Sequence, residues 1–477
     1  MRLWAAATLL LLGFLGEEVS ARESDYCYAY EQDPYLLMGT KTAYQFVQGR
    51  TKIPPVTNCV PVQMWVLTRH GTRFPGRKAI TQLHTLPKLR DQITYNHDTR
   101  GNGRLCNTDL ENLRSWQLNP NLTDALANFL TAQGEQDMRL LARRLQSEFP
   151  EILRPDPQTI SYQNYKFRAT QTQRTQASLE AFMDGLFNSR NAVPVEPTPD
   201  NDTLLHLYKN CPGWESSLSR DHVDAESERF IAGPEYQNLL QSVSRRLGFS
   251  YKINNDSVQL MYDMCRYEKA WEVNRLSPWC AIFSSDELKV LEYLEDLDYY
   301  YYSGPGREIN SKLGCPLLKD MFTHFRNLES GSYREQPKGI FYFGHTVTLQ
   351  SLLAALNIGK DNTPLLASNF HQNGRRSFRT SVLGSFASNL IAVFYRCGDA
   401  RSPNKVIFYL DEVPVQLEGC NVGLCDWEYL KERFGRDVDQ CNVNFCYNPN
   451  SASGLVRNPL VLLVTVFLTG IATLRSL

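Results

Sequence analysis

Two short apolar runs that each lead to a histidine constrain the fold of this chain more than any other feature. Residues 62–67 lead to Arg69 and His70, and residues 339–343 lead to Gly344 and His345. Both runs have the length and composition of buried strands, and an apparent helix directly follows the second. Strands that alternate with helices along a chain predict an α/β sheet with helices packed on it.

Both ends of the chain carry targeting patterns. Residues 1–21 are typical of a signal peptide, because Arg2 precedes an apolar core and the segment ends in small residues suited to cleavage. Residues 448–477 combine small residues, a short polar spacer and an apolar tail, which predicts a GPI-attachment signal, with a single membrane-spanning helix as the alternative. We therefore expect a protein of the secretory pathway that is held at the cell surface by a lipid anchor. A secreted, ER or lysosomal lumenal protein is the alternative.

The cysteines agree with export. Twelve are present, an even number, and disulfides are favoured over zinc because no tight C-x2-C pair and no neighbouring histidine accompany them. Their pairing is open, although three spacings suggest short loops, namely Cys265 to Cys280, Cys420 to Cys425 and Cys441 to Cys446. An exported chain also offers three candidate glycosylation sites, at the sequons of Asn121, Asn201 and Asn255.

The residues after the first run, Arg69-His70-Gly71-Thr72-Arg73-Phe74-Pro75, have the chemistry of a phosphate site. Ligands of α/β sheets bind where strands end. Arginine binds phosphate with paired hydrogen bonds and a permanent charge, and a neutral imidazole can attack phosphorus once arginines neutralise the phosphate oxygens. A surface loop with incidental basic residues is the alternative, but five specified positions recur by chance in on the order of one in ten thousand such sequences. The net charge of −1 excludes a global basic field for nucleic acid, so the anion site is local.

Two further residues are candidates for the same site. His345 follows a strand, as His70 does, and precedes a helix whose N-terminus favours an anion, so it could hold the transferred phosphoryl group. A lone histidine is otherwise more often structural. Arg168 follows a strand-like segment and is a third candidate for binding phosphate, whereas Arg174 could be an ion-paired helix residue. The sequence alone does not separate these two arginines.

These residues resemble the histidine acid phosphatase branch of the histidine phosphatases, most closely the multiple inositol polyphosphate phosphatase group, with phytases more distant. The resemblance covers residues 27–446, and its supporting stretches are 69–75, 276–283, 344–345 and 387–391. It implies a histidine-phosphatase α/β sheet flanked by helices, formed by residues 22–75, 150–263 and 337–447. It also implies a smaller, mainly helical cap domain formed by residues 76–149 and 264–336.

The resemblance further implies a chemistry and a set of site residues. His70 would form a covalent phosphohistidine that water later hydrolyses, and His345 would lie in the phosphate pocket. The implied phosphate-binding residues are Arg69, Arg73 and Arg168, and the implied disulfides are Cys59–Cys397 and Cys265–Cys280. The implied substrates are inositol hexakisphosphate and lower inositol phosphates, and 2,3-bisphosphoglycerate is a further candidate. No metal or organic cofactor is implied.

One departure from the family's pattern affects the chemistry. Inositol polyphosphate phosphatases usually read His-Ala-Glu and phytases His-Asp at the second histidine, but this chain reads His345-Thr346-Val347. The missing carboxyl protonates the leaving alcohol in the family, and a positioned general acid contributes roughly 10²–10⁴-fold to rate. The proton donor is therefore not identified by the sequence. A catalytically impaired surface binder of polyphosphates is the alternative function, whereas export and disulfides argue against a phosphoglycerate-mutase-like transferase.

Overall fold

A computed structural model describes residues 26–154, 157–331, 335–398, 401–421 and 423–447. The predicted signal peptide at 1–21 and the predicted C-terminal signal at 448–477 lie outside these residues, so both stay predictions. Among the helices of the described ranges, none combines the length and the hydropathy that a membrane span requires.

One mixed sheet forms the centre of the molecule. Its strands in the described residues are β1 Cys59–Arg69, β2 Tyr165–Ala169, β3 Gly339–Gly344, β4 Asn389–Cys397, β5 Asn404–Leu410, β6 Val413–Pro414 and β7 Leu424–Asp426. Their order is β2-β3-β1-β4-β5-β6, and β7 also pairs with β5. The β2–β3 and β3–β1 pairs are parallel, whereas β4 runs antiparallel to both β1 and β5. The carboxyl ends of β1, β2 and β3 therefore meet at one edge.

Helices surround this sheet, which confirms the predicted α/β fold. In chain order the α-helices of the described residues are α1 Arg77–Leu83, α2 Leu86–Asp98, α3 Asn107–Ser115, α4 Ala132–Glu148, α5 Pro150–Leu153, α6 Gln173–Phe187, α7 Pro212–Arg220, α8 Ala225–Ala232, α9 Pro234–Arg246, α10 Asn255–Trp271, α11 Ser285–Tyr302, α12 Glu308–Glu329, α13 Thr346–Ala355, α14 Thr380–Leu383 and α15 Trp427–Asp439. The two apolar runs that end at histidines form the central strands β1 and β3.

Both faces of the sheet are apolar, which is why β1 and β3 read as continuous hydrophobic runs. In β1, Met64 and Val66 point to one core cluster, whereas Trp65 and Leu67 point to another on the opposite face. Helices α4 and α6 cover the first face, and helices α12, α13 and α15 cover the second. The sheet is thus the middle layer of three, and its carboxyl edge is the part open to a ligand.

Two helices that fall within the predicted cap segments pack against the central sheet. Helix α4 lies within 76–149, but its apolar stripe packs on the sheet, since Met138, Leu141 and Leu145 share a core cluster with β1 and β3. Helix α12 lies within 264–336, yet Asp320 accepts a 2.9 Å hydrogen bond from Nε1 of Trp65 in β1. An amphipathic pattern does not say which surface the apolar stripe covers. The remaining division into a sheet domain and a cap stays a prediction.

Six disulfides join the described segments, namely Cys27–Cys106, Cys59–Cys397, Cys211–Cys446, Cys265–Cys280, Cys315–Cys441 and Cys420–Cys425. They include both pairs that the resemblance implied. The suggested loop between Cys441 and Cys446 does not form, because the fold brings each of these cysteines to a distant partner. So many disulfides indicate an extracellular or lumenal protein.

The three sequons differ in their surroundings. Asn121 and Asn201 are exposed and lie outside regular elements. Asn255 is the first residue of α10, and its side-chain oxygen accepts a 2.5 Å hydrogen bond from the hydroxyl of Tyr236. Glycosylation stays a prediction at all three asparagines. Of the three side chains, only that of Asn255 forms a hydrogen bond to another described residue.

Candidate active site

His70 and His345 lie side by side at the carboxyl edge of the sheet, as their positions after β1 and β3 predicted. The two strands are parallel neighbours in which Arg69 pairs with Gly344, and the backbone N–H of His70 donates to the Gly344 carbonyl at 3.0 Å. The centroids of the two imidazole rings are 5.8 Å apart, and both side chains are buried. The structure therefore joins two residues that are 275 positions apart in the chain.

The loop after β1 is held by the start of helix α4. Gly71 and Gly134 pack so closely that a Cβ on Gly71 would lie 2.5 Å from the Gly134 carbonyl oxygen, and one on Gly134 would lie 2.2 Å from the Thr72 carbonyl oxygen. The Thr72 hydroxyl donates to Asp137 of α4 at 3.1 Å, and the Gly71 N–H donates to the Ser178 hydroxyl of α6 at 3.0 Å. Two glycines thus allow a helix N-terminus to fix the backbone around His70.

His70 is held in the form that a nucleophile needs. Its Nδ1 lies 2.8 Å from the Gly71 carbonyl oxygen, which can only accept, so the proton is on Nδ1 and the Nε2 lone pair is free. Burial above all keeps the pKa of His70 well below its ordinary value, and three arginine charges act in the same direction. Those arginines are Arg69, Arg174 and Arg73. A neutral imidazole with a free Nε2 is competent to attack phosphorus.

Arg69 and Arg73 lie close enough to His70 for their charges to lower its pKa. Nη1 of Arg69 donates to the carbonyls of Thr40 and Gly384, and its guanidinium carbon lies 4.6 Å from the centre of the Phe386 ring. Burial lowers the pKa of Arg69 to about 9. Nη1 of Arg73 donates to the Phe74 carbonyl at 2.7 Å. Neither guanidinium is bound to a carboxylate among the described residues, so both can receive an anion.

The third arginine at the histidines is Arg174 rather than the predicted Arg168. Arg168 lies within β2, and its partly buried guanidinium donates to the buried carboxylate of Asp202 at 2.5 Å. Arg174, in the first turn of α6, places Nη2 at 3.4 Å from Nδ1 of His345. Nε is buried without a hydrogen-bond partner in both arginines, but only Arg174 has no carboxylate partner in the described ranges. We call Arg69, His70, Arg73, Arg174 and His345 the phosphate pocket.

His345 is neutral and its ring orientation is fixed. Because a guanidinium can only donate, Nδ1 of His345 is the acceptor that faces Arg174, and Nε2–H donates to the Thr170 hydroxyl at 2.9 Å. Burial first, and then the charge of Arg174, holds the pKa of His345 well below its ordinary value. Thr170 directly follows β2, so all three parallel strands contribute to the pocket at their carboxyl ends.

A sequence profile described as the Histidine phosphatase superfamily (branch 2) matches residues 62–410, which include the whole phosphate pocket. The chain belongs to this superfamily. It is 37% identical over 460 residues to multiple inositol polyphosphate phosphatase 1 of Drosophila melanogaster, covering 94% of this chain and 96% of that protein. It is 32% identical over 447 residues to the human protein of the same name, covering 86% of this chain and 88% of that protein.

Solved structures agree at the level of the fold. A phytase from D. castellii superposes with a TM-score of 0.68 at 17% identity and covers 87% of each chain. The apo form of Bifidobacterium longum multiple inositol polyphosphate phosphatase superposes with a TM-score of 0.61 at 14% identity, covering 81% of this chain and 94% of that one. The protein is therefore a histidine-type phosphatase with the fold of its superfamily.

This histidine phosphatase also has site residues that sequence reasoning missed. The ring of His206 stacks on His345, with centroids 4.9 Å apart and planes at 27°, and Tyr208 meets His345 edge-on at 6.4 Å. On the other side of the pocket, Nε1 of Trp271 donates to the Arg73 carbonyl at 3.2 Å. None of these residues follows a strand. Trp271 is the last residue of α10, and His206 and Tyr208 lie in the segment before α7, so their positions after strands could not reveal them.

The missing acid is also a feature of the three-dimensional structure. Val347 packs in an apolar cluster with Leu207 and Trp214. Thr346 is buried beside Gly384, since a Cβ on Gly384 would lie 3.0 Å from its methyl carbon. The two positions that carry a carboxyl in relatives of the superfamily are therefore a threonine and a core valine here, and neither can donate a proton as a carboxylic acid would.

Proposed function

We propose that the protein is a phosphomonoesterase that hydrolyses inositol polyphosphates, from the hexakisphosphate downwards, through a covalent phosphohistidine on His70. The observation that carries this proposal is a neutral His70 whose Nε2 is free. Three arginines surround it, and none of them pairs with a carboxylate of the described residues. The similarity to proteins named multiple inositol polyphosphate phosphatase 1 supports the substrate class. We include 2,3-bisphosphoglycerate as a second substrate to be tested.

The first half of the reaction follows from the pocket's charges. The positive charges of Arg69, Arg73 and Arg174 are not balanced by any carboxylate of the described residues. A substrate phosphate supplies the balancing negative charge, and the guanidinium N–H groups donate to its non-bridging oxygens. Nε2 of His70 then attacks phosphorus, the N–P bond forms, and the ester P–O bond breaks. The leaving alkoxide takes up one proton and departs as the inositol hydroxyl.

The second half restores the enzyme. A water molecule attacks phosphorus, the N–P bond breaks, and inorganic phosphate leaves while His70 regains its lone pair. The Gly71 carbonyl keeps the Nδ1 proton in place throughout, so Nε2 is again free for the next substrate. The arginines act on both transition states because the same phosphoryl oxygens carry the charge in each.

Phosphate release from inositol hexakisphosphate tests the proposal. We expect the purified wild-type protein to release phosphate and the His70→Ala variant to release none above the blank. Rapid quenching of the wild-type protein with radiolabelled substrate should trap label on His70. Equal rates for the two proteins would refute the proposed nucleophile.

A non-catalytic surface binder of polyphosphates is the second candidate, and Thr346 and Val347 are the observation that favours it. If the protein is a binder, the wild type and the His70→Ala variant should both bind inositol hexakisphosphate, and neither should release phosphate or form a labelled histidine. The quench experiment separates the two functions, because only the enzyme forms an N–P bond.

We also propose that the protein is exported as a glycoprotein and held at the cell surface by a GPI anchor. The six disulfides support the export, and the pattern of residues 448–477 supports the anchor. Treatment of intact cells with a phosphatidylinositol-specific phospholipase should release the protein. A protein that stays with the membrane would contradict the lipid anchor.

A further inference from the structure

A proton donor is needed near the leaving group, and the two carboxylates whose charges act on Arg69 and His206 are each paired with an arginine of their own. Glu295, whose charge acts on Arg69, accepts from Arg266, Thr40 and Lys41. Oδ1 of Asp202, whose charge acts on His206, accepts from Arg168 and from two backbone N–H groups, those of Leu204 and Leu205, whereas its Oδ2 is buried without a hydrogen-bond partner. The donors around Glu295 hold its pKa below the ordinary value, so Glu295 is not suited to donate a proton. Asp202 is buried and paired with Arg168, which keeps its carboxylate away from a substrate in the pocket.

His206 is the titratable side chain that the fold brings directly onto the second histidine. Its imidazole stacks on His345, with ring centroids 4.9 Å apart, and the residue is half-buried, so part of it remains exposed. Neither ring nitrogen hydrogen-bonds to another residue within the described part of the chain. Both nitrogens are therefore available to a ligand, unlike those of His345, which are bound by Thr170 and Arg174.

The residue that replaces the usual acid also helps to place His206. Val347 packs against Leu207, the residue that directly follows His206, in an apolar cluster with Trp214 and Ile309. A carboxyl at position 347 would be buried in that cluster or would displace Leu207 from it. The same substitution that removes the carboxyl thus lets the 206–210 segment pack against the start of α13 and carry an imidazole to the pocket.

The pKa of His206 depends on its burial and on the charged groups of the segments around it. Burial lowers its pKa most, Asp202 raises it, and Lys209 and Arg174 lower it. His345 and Tyr208 are its ring neighbours. A phosphate dianion that enters the pocket adds negative charge close to the ring, which favours the protonated imidazolium in the bound complex.

We propose that His206 is the general acid of this phosphatase, taking the place of the carboxyl that relatives carry after the second histidine. The inference rests on the proposed function. In the first step the His206 imidazolium gives its N–H proton to the ester oxygen as the P–O bond breaks, so that the alcohol leaves neutral. In the second step the now neutral imidazole takes a proton from the water that attacks the phosphohistidine, and the imidazolium is restored.

The test compares two esters that differ in their need for an acid. Inositol hexakisphosphate has an alkoxide leaving group that requires protonation, whereas the phenolate of p-nitrophenyl phosphate leaves without it. The variant His206→Gln keeps the size and polarity of the side chain but holds no transferable proton. His371→Gln is the matched control, because the His371 side chain is 78% exposed and pairs only with Glu235 among the described residues.

We expect His206→Gln to lower kcat/KM on inositol hexakisphosphate by roughly 10²-fold or more and to change kcat/KM on p-nitrophenyl phosphate far less. The basic limb of the pH profile for the inositol ester should also disappear in this variant. Since kcat/KM reports only the steps up to phosphoenzyme formation, a slow second step cannot mask the difference. His371→Gln should behave as the wild type on both esters.

The other outcomes overturn the inference in distinguishable ways. An equal loss on both esters would mean that His206 only positions His345, and no loss on the inositol ester would mean that another group donates the proton. If the wild-type protein releases no phosphate from either ester, the proposed function itself fails. If the wild-type protein is active and His206→Gln shows no selective loss, only the inference about His206 fails.

Discussion

Replacing Arg174 and Arg168 one at a time, each by methionine, tests which arginine binds the substrate phosphate. The two residues are six positions apart in the sequence, and methionine retains much of the length of either side chain without its charge. Arg174 has no carboxylate partner among the described residues and lies 3.4 Å from Nδ1 of His345, whereas Arg168 forms an ion pair with the buried carboxylate of Asp202. The structure therefore predicts opposite consequences for activity and for stability.

Arg174→Met should damage catalysis. The loss of one set of donors to the transferred phosphoryl oxygens typically lowers kcat by about 10²–10³-fold, or about 2.7–4 kcal/mol of transition-state stabilisation. The charge of Arg174 also contributes to the low pKa of His70, so its removal raises that pKa. Because His70 must be neutral to attack, the acid limb of the kcat/KM profile should move to higher pH. Stability should change little, since no carboxylate of the described residues loses a partner.

Arg168→Met should damage stability instead. It leaves the carboxylate of Asp202, which is 3% exposed, without its cation, and breaking a buried pair in this way typically destabilises by about 3–5 kcal/mol. The double variant Arg168→Met/Asp202→Asn removes the stranded charge and should recover most of that loss. Urea unfolding and the pH dependence of kcat/KM on p-nitrophenyl phosphate measure the two effects separately. A large loss of kcat/KM in Arg168→Met at unchanged stability would refute this assignment of roles.

Two further substitutions test the surroundings of the pocket. Burial raises the pKa of Asp411 from 3.8 to about 8, so the folded protein binds more protons than the unfolded chain between these values, and this contribution to stability is lost as the pH rises. The free energy of unfolding of Asp411→Asn, measured with urea, should therefore rise relative to that of the wild type from pH 4 to pH 8, by on the order of 4 kcal/mol at pH 7. A difference that does not change with pH would contradict the raised pKa. Gly134→Ala places a Cβ 2.2 Å from the Thr72 carbonyl oxygen and should displace the loop that carries His70, with a loss of roughly 10²-fold in kcat/KM. Gly374→Ala, where a Cβ meets nothing within 4 Å, is the control, and equal activity of the two alanine variants would show that the close contact is not required.

The two histidines were predictable because their signal is local and physical. Each follows an apolar run long enough for a buried strand, and parallel strands bring their carboxyl ends to the same edge. The predicted phosphate contacts of Arg69 and Arg73 followed from their nearness to His70 in sequence. The same reasoning gave the central sheet and the helices on it, since apolar periodicity reports which residues are buried.

The structure does not bring Arg168 to the two histidines, and the direction of its side chain is the reason. Residues of a strand alternate between the two faces, and in β2 Tyr165, Phe167 and Ala169 are buried on one face, so Arg168 points to the other face rather than to the edge. Arg174 begins a helix just beyond the end of the strand, and that position faces the edge itself. The first turn of the helix after β2 was thus the signal that could have found it.

Other features depend on contacts between distant segments and leave no local pattern. Leu207 carries no sign that it packs against Val347, and without that contact His206 is an ordinary loop histidine. Likewise, Cys441 and Cys446 are close in sequence, but their partners Cys315 and Cys211 are chosen by the fold. Helix α4 showed a clear apolar stripe, yet only the structure shows that the stripe covers the sheet.

The charge of the pocket explains why an imidazole can serve where relatives use a carboxyl. Burial first, and then the positive charges of the pocket, hold the pKa values of His345 and His206 below the ordinary value, and the same positive charges favour the ionised form of a carboxylic acid placed among them. Either group can donate a proton only after a phosphate dianion has reversed the local field. For His206 the direction is favourable, because the substrate's own charge raises the affinity of the imidazole for a proton at the moment when the leaving group needs one. Substrate binding thus favours protonation of His206, and the bound substrate then takes that proton. The free enzyme keeps both His70 and His345 neutral, so that it can bind the next phosphate.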